Sequence, residues 1–184
     1  MNRAAAPRQA RRLARVATLA NQRACRAAAD RFITYRRFWG LSAGDGPGEF
    51  PTPDTYRVYS PAGLIDGTAH LTASLASVAH CPQAVLENLH EAEHDRQLGA
   101  HGRYGLSSVN LDRHWVGRDM VGIDAGAAVL ALDNYLMADR VRDLFQGLPC
   151  VRRGYGAPGL HPEDGPPRAA ASTCYPGTIS GGRS

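Results

Sequence analysis

Carboxylates and flat aromatic rings gather in the Gly- and Pro-rich stretches of this 184-residue chain. Trp39 and Asp45 share the first stretch, and Asp66 sits in an Asp-Gly-Thr turn. Tyr104, Asn110, Asp112, His114 and Trp115 then lead into Asp124, where loop is expected to become helix. This combination suits sugar chemistry. Aromatic rings stack on the C–H faces of a pyranose. One carboxylic acid protonates the leaving oxygen and a second carboxylate activates water, about 6.5–9.5 Å apart in an inverting hydrolase. The candidate catalytic residues are Asp124, Asp66 and Asp45, and the candidate substrate-binding residues are Trp39, Tyr104, Asn110, Trp115 and Asn134. Each also has a plain reading. Trp39 and Trp115 fit a core, Asp124 fits an N-cap, and Asp66 fits a turn. The joint pattern carries the expectation.

A competing motif is His90-Glu91-Ala92-Glu93-His94, which matches H-E-x-x-H on a predicted helix. That spacing sets two imidazoles one turn apart, with Glu91 as base for a zinc-bound water. Glu93 and Asp95 are charged, Gly99 and His101 fall at the wrong offsets for a third ligand, and Val85, Leu86 and Leu89 place the apolar face elsewhere. A solvated helix face is the better expectation, with no metal site and no cofactor. The zinc hydrolase stays as a second alternative.

All 21 basic residues are arginine. Residues 1–37 hold ten of them against Asp30, a local charge of +9, and the remainder carries −5. A basic helix of this kind touches nucleic acid or acidic lipid in some proteins, but no nucleic-acid motif accompanies it. No apolar run reaches the roughly 18 residues of a membrane span, and no signal-peptide core follows the basic start. The expectation is a cytoplasmic chain without nucleic-acid or membrane partners. Cys25, Cys81, Cys150 and Cys174 form no C-x-x-C pair, so free thiols are expected.

Helices are expected over 7–37, 71–79, 82–98 and 124–146. Pro7 and Pro82 suit first turns, and Gly99 and Gly147 suit ends. Residues 39–63 read as irregular loop, and a short extended piece is expected near Arg103–Leu106. The last helix is apolar enough in its first half to pack deep in a core. The expected class is all-α with long loops. Residues 1–38 form a basic helical segment, 39–154 the main domain, and 155–184 a Gly/Pro-rich tail expected to be disordered.

Several short motifs follow one another from Trp39 to about Gly154. W-G-L-[ST]-A-x-D-G-P fits Trp39 to Pro47, and a D-G-T turn fits Asp66-Gly67-Thr68. G-x-Y-G fits Gly102 to Gly105, and W-V fits Trp115-Val116. G-I-D-x-G fits Gly122 to Gly126, and [ED]-N-Y fits Asp133-Asn134-Tyr135. In this order they resemble the C-terminal part of the glucoamylase-like, or glycoamylase, domain of bacterial endo-β-1,2-glucanases and cyclic β-1,2-glucan synthases. The resemblance implies an (α/α)6 toroid, here a partial one, acting on or binding a β-glucan. It also implies a missing N-terminal half of the barrel as a partner. Where relatives read Y-G-F-x-D-[AS]-[FV]-N, this chain reads Tyr104-Gly105-Leu106-Ser107-Ser108-Val109-Asn110 and lacks the acid. A non-catalytic carbohydrate-binding module is therefore the first alternative.

Overall fold

The computed structural model describes residues 5–49 and 52–156. Ala, Leu and Arg, all good helix formers, carry α1 (Ala5–Ala27). The helix stops well short of residue 37, and α2 (Thr34–Arg37) begins separately. Asp112, from far along the chain, explains the break. Its carboxylate accepts from Ile33 N (2.8 Å), Thr34 N (3.1 Å) and Thr34 Oγ1 (2.9 Å). These bonds satisfy donors at the start of α2 that a continuous helix would have spent on its own carbonyls. Burial opposes the Asp112 charge, but the donors outweigh it and hold the carboxyl below its usual range.

The expectation of an all-α chain, and of a partial (α/α)6 toroid with it, is corrected. The described residues include seven strands in three small antiparallel sheets. β1 (Ala43–Pro47) and β2 (Asp54–Val58) form a hairpin inside the stretch expected to be irregular. β3 (Ala69–His70) leads directly into α3 (Leu71–Leu75), and α4 (Pro82–His94) follows. β4 (His101–Gly102) and β5 (Gly105–Leu106) make a tight hairpin, where the short extended piece was expected. β6 (Ser108–Asn110) and β7 (Trp115–Val116) join β3 in the order β3-β6-β7. Strands of two to five residues are too short to show a readable alternation. Gly44, Gly46 and Pro47 further disguise β1 as loop.

The helix expected at 124–146 is two: α5 (Gly122–Leu136) and α6 (Arg140–Gly147). Ala138 and Asp139 turn the corner with φ of 51° and 65°, a conformation no helix interior holds. Asn134 secures the corner. Its carbonyl accepts from Asp139 N (2.8 Å), and its side chain accepts from Arg142 N (3.0 Å). α7 (Pro149–Gly156) ends the described chain, so the expected tail beyond Gly156 lies outside the described residues.

The core forms around Trp39, with Tyr35, Phe38, Leu71, Val78, Val85 and Val109. Asn88 on α4 grips the Trp39 backbone from both sides. Trp39 N donates to Asn88 Oδ1 (3.0 Å), and Asn88 Nδ2 donates to Trp39 O (2.9 Å) and Ser74 Oγ (2.8 Å). Gly40 follows with φ 141°, and a Cβ there would lie 2.4 Å from the His70 carbonyl oxygen. Only glycine lets the chain leave Trp39 this close to β3. α5 is not the deep core helix its composition suggested. Only Ala128 on it is buried, while Ile123 is 85% and Val129 65% exposed. One side of α5 rests on α3. Its outer face continues through Leu136 into Leu144 and Phe145 of α6, all exposed.

Candidate active-site cleft

Three backbone registers build one cleft. His70 pairs with Ser108 across β3 and β6, and Gly117 N donates to Ser108 O (2.9 Å). Leu106 is fixed from α3, since Thr72 Oγ1 donates to its carbonyl. Ser107 N donates to Ala100 O (2.8 Å). Asp45 reaches the same place from β1, which packs against β6. The irregular segment 117–121 then carries Asp119 past it, and the first turn of α5 brings Asp124. The result is a narrow cleft shared by Asp45, Asp119, Asp124, His70, Ser107 and Ser108. No arginine lines it.

The carboxylates differ in setting. Asp119 is exposed at the rim, whereas Asp45 and Asp124 are half-buried. Burial raises the Asp124 carboxyl above its usual range, and no cation offsets it. Asp124 is not the helix cap. Val121 occupies that position and makes no side-chain cap bond, leaving Asp124 inside the first turn with its carboxyl in the cleft.

His70 is the cleft residue that sequence reasoning missed, with Asp119. Its ring is 1% exposed and lies 4.9 Å from the Tyr59 ring, tilted by 51°. Its edge lies against Gly44, where a Cβ would stand 2.8 Å from Cδ2 and 2.9 Å from Nε2. Burial drives its pKa from 6.5 down to about 4, against the opposing effect of the Gly40 and Asp45 carbonyls and the Asp66 charge. The unfolded chain therefore takes up a proton near pH 6.5 that the folded chain refuses until about pH 4. Stability should fall as pH drops across that window. Urea unfolding at stepped pH should show wild type losing ground to His70→Phe between pH 6.5 and 4, and parallel curves would contradict this. A histidine directly after a D-G-T-A turn was the available signal, but nothing in the spacing distinguishes it from a surface residue.

The other candidates lie outside the cleft lining. Asp66 accepts from Thr68 N (3.0 Å), Arg57 Nη1 (3.4 Å) and Tyr59 OH (3.5 Å), so both of its oxygens are engaged beside the core. Trp39 is 2% exposed, with its indole N–H donated to Ala84 O (3.2 Å), and it has no free face for stacking. Asn110 is fully buried and donates to Thr68 Oγ1 (3.1 Å) and Asp66 O (3.3 Å). Trp115 is half-buried and donates to Asp54 Oδ1 (2.6 Å). Asn134 holds the α5–α6 corner. Tyr104, at the tip of the β4–β5 hairpin, is 72% exposed, with Arg103 5.4 Å from its ring centroid. Of these rings it is the most exposed.

The H-E-x-x-H helix holds no assembled metal centre. Glu91 is paired with Arg37 Nε at 2.6 Å, while His90 and His94 are exposed, their rings edge-to-face at 4.0 Å. Among the described residues no group of three or more His, Cys, Asp or Glu is arranged to hold a metal ion. Cys25, Cys81 and Cys150 are free thiols, and burial pushes Cys25 up to about 11. None of the helices in the described residues is long and apolar enough to cross a membrane.

The Glycoamylase family model, described as "putative glucoamylase", matches residues 9–149. The chain belongs to the Glycoamylase family. A Bacteroides uniformis structure of the same description matches this glycoamylase chain with a TM-score of 0.66 and 27% identity, over 78% of this chain and 35% of its own. A β-1,2-glucanase from Parabacteroides distasonis matches with a TM-score of 0.65 and 25% identity, over 76% and 20%. An endo-β-1,2-glucanase from Chitinophaga pinensis, solved with sophorotriose and glucose, is similar in fold, with a TM-score of 0.65 and 23% identity over 78% and 34%. The chain thus spans about a third or less of the length of these structures. A search of the curated proteins found no match. The family match begins within α1, so it takes in the basic helix as well as the region from Trp39 onward.

Proposed function

We propose that this glycoamylase domain binds a β-linked glucan in the Asp45–Asp124 cleft and hydrolyses it by general acid–base catalysis. The observation that carries the reading is Asp124, a carboxyl raised by burial in a cleft that holds a second carboxylate on a separate element. A raised acid keeps its proton long enough to deliver it to the leaving glycosidic oxygen. Asp45, fixed in β1, is the partner that activates water, and Asp119 at the rim accepts from sugar hydroxyls. The exposed Tyr104 ring offers a stacking face on the hairpin that also supplies Leu106 to the cleft. The β-1,2 linkage is taken from the glucanase relatives. Incubation with linear β-1,2-glucan should release reducing ends. Binding without release would favour a non-catalytic carbohydrate-binding module. Ser107 and Ser108 favour that second reading, because they leave one cleft wall without a carboxylate.

The exposed apolar face of α5 and α6 fits the remainder of the family fold, which the longer relatives carry and these 184 residues do not. Burying such a face gains about 25 cal/mol for each Å² of apolar surface removed from water. Expressed by itself, the 184-residue chain should self-associate through this face. Leu130→Glu combined with Leu144→Glu should shift its size-exclusion profile toward monomer. A monodisperse wild-type monomer would contradict the assignment.

A further inference from the structure

We infer that His70 is a ligand-contacting residue of the cleft, whose imidazole nitrogens hydrogen-bond a hydroxyl of the bound glucan. This rests on the glucan reading above and adds to it a residue outside the carboxylate set. The observation behind it is an unmet demand. His70 is 1% exposed, and although its ring lies close to the carbonyls of Gly40 and Asp45, neither Nδ1 nor Nε2 meets a partner at hydrogen-bond geometry. Buried polar side chains are seldom left so in native structures. A neutral imidazole presents one N–H donor and one bare acceptor nitrogen. If the position needed only a flat ring between Tyr59 and Gly44, a phenyl group would serve without leaving two polar atoms unmet.

The surroundings select the ligand chemistry. An imidazole also takes metal ions, but no group of three or more metal-binding side chains is assembled among the described residues. An anion is disfavoured by Asp45, Asp119 and Asp124 around the same cleft, which no arginine lines. A hydroxyl donates and accepts through one atom, so it can meet either imidazole nitrogen. Carboxylates beside it take the remaining hydroxyl protons, as a polyhydroxylated ligand requires. Both nitrogens are shut off from solvent, so contact with a hydroxyl requires the cleft wall to shift on binding.

The test is calorimetric titration of sophorotriose into wild type, His70→Phe and His70→Gln. His70→Phe should bind about tenfold more weakly, the loss expected for one or two net hydrogen bonds. His70→Gln, which offers both a donor and an acceptor, should recover most of that loss. Wild-type affinity in His70→Phe would overturn the inference and leave the glucan reading standing. No binding by wild type would overturn both. Should His70→Phe fail to fold, 15N-histidine NMR of wild type decides the matter. Saturable shifts of the His70 imidazole nitrogens support the contact, and unmoved signals at saturating sophorotriose refute it.

Discussion

Asp124→Asn should lower release of reducing ends from β-1,2-glucan by about 10²–10⁴-fold, the range set by removing a general acid or base. Asparagine keeps the size of the side chain and its place in the first turn of α5, so sugar binding should change far less than turnover. The pH dependence supplies the sharper signature. Burial raises the Asp124 carboxyl, so the folded chain holds a proton there that the unfolded chain has already released. Wild-type activity should therefore decline as pH rises through that raised value, and residual activity in Asp124→Asn should lack this limb. The stability effect has a definite sign. A raised acid favours the folded state below the unfolded pKa and loses that advantage as pH rises through the folded one. Above that window the buried charge is a burden, so Asp124→Asn should melt at the same temperature as wild type or slightly higher. A variant that loses activity together with its fold would show Asp124 to be structural.

Asn88→Ala should destabilise the fold by about 3 kcal/mol, the upper part of the range for single substitutions. The side chain is 3% exposed and makes three hydrogen bonds at 2.8–3.0 Å. Two go to the backbone N–H and carbonyl of Trp39, the third to Ser74 Oγ. Truncation leaves those buried groups unmet, at about 1–3 kcal/mol each where water cannot reach them. Asn88 also ties α4 to the residue before Gly40, whose carbonyl accepts from His70 N (2.8 Å). Loosening that anchor should thus weaken glucan binding as well. Chemical denaturation of Asn88→Ala checks the magnitude, and a loss under about 1 kcal/mol would mean that the Trp39 backbone finds other partners.

What was legible in the chain followed residue type and length. Pro82 and the Val85–Leu89 spacing located α4, and the run of Ala, Leu and Arg located α1. The sheets were not legible, because two-residue strands such as Ala69–His70 exist only through partners about 40 residues away. The break before α2 is equally non-local, since Asp112 sets it, whereas the last helix breaks locally at the left-handed pair Ala138–Asp139, which carries no glycine to announce it. At the site, residue type and motif point to Asp45 and Asp124 among others, and these two line one cleft. The same residue types point to Asp66, Trp39 and Asn110, which hydrogen bonds hold in the core or beside it. An aspartate, tryptophan or asparagine in a Gly-rich stretch reads alike whether its polar atoms meet a ligand or a neighbouring carbonyl. His70 went unnoticed for the converse reason, because only packing shows that its nitrogens have no partner.

The central claim is that the cleft between β1 and α5 is the sugar site. A crystal structure of this chain soaked with sophorotriose tests it most directly. The account predicts a sugar ring in the cleft, with hydroxyls within hydrogen-bond reach of Asp45 and Asp124. Ordered sophorotriose elsewhere on the protein, with this cleft holding only solvent, would contradict it.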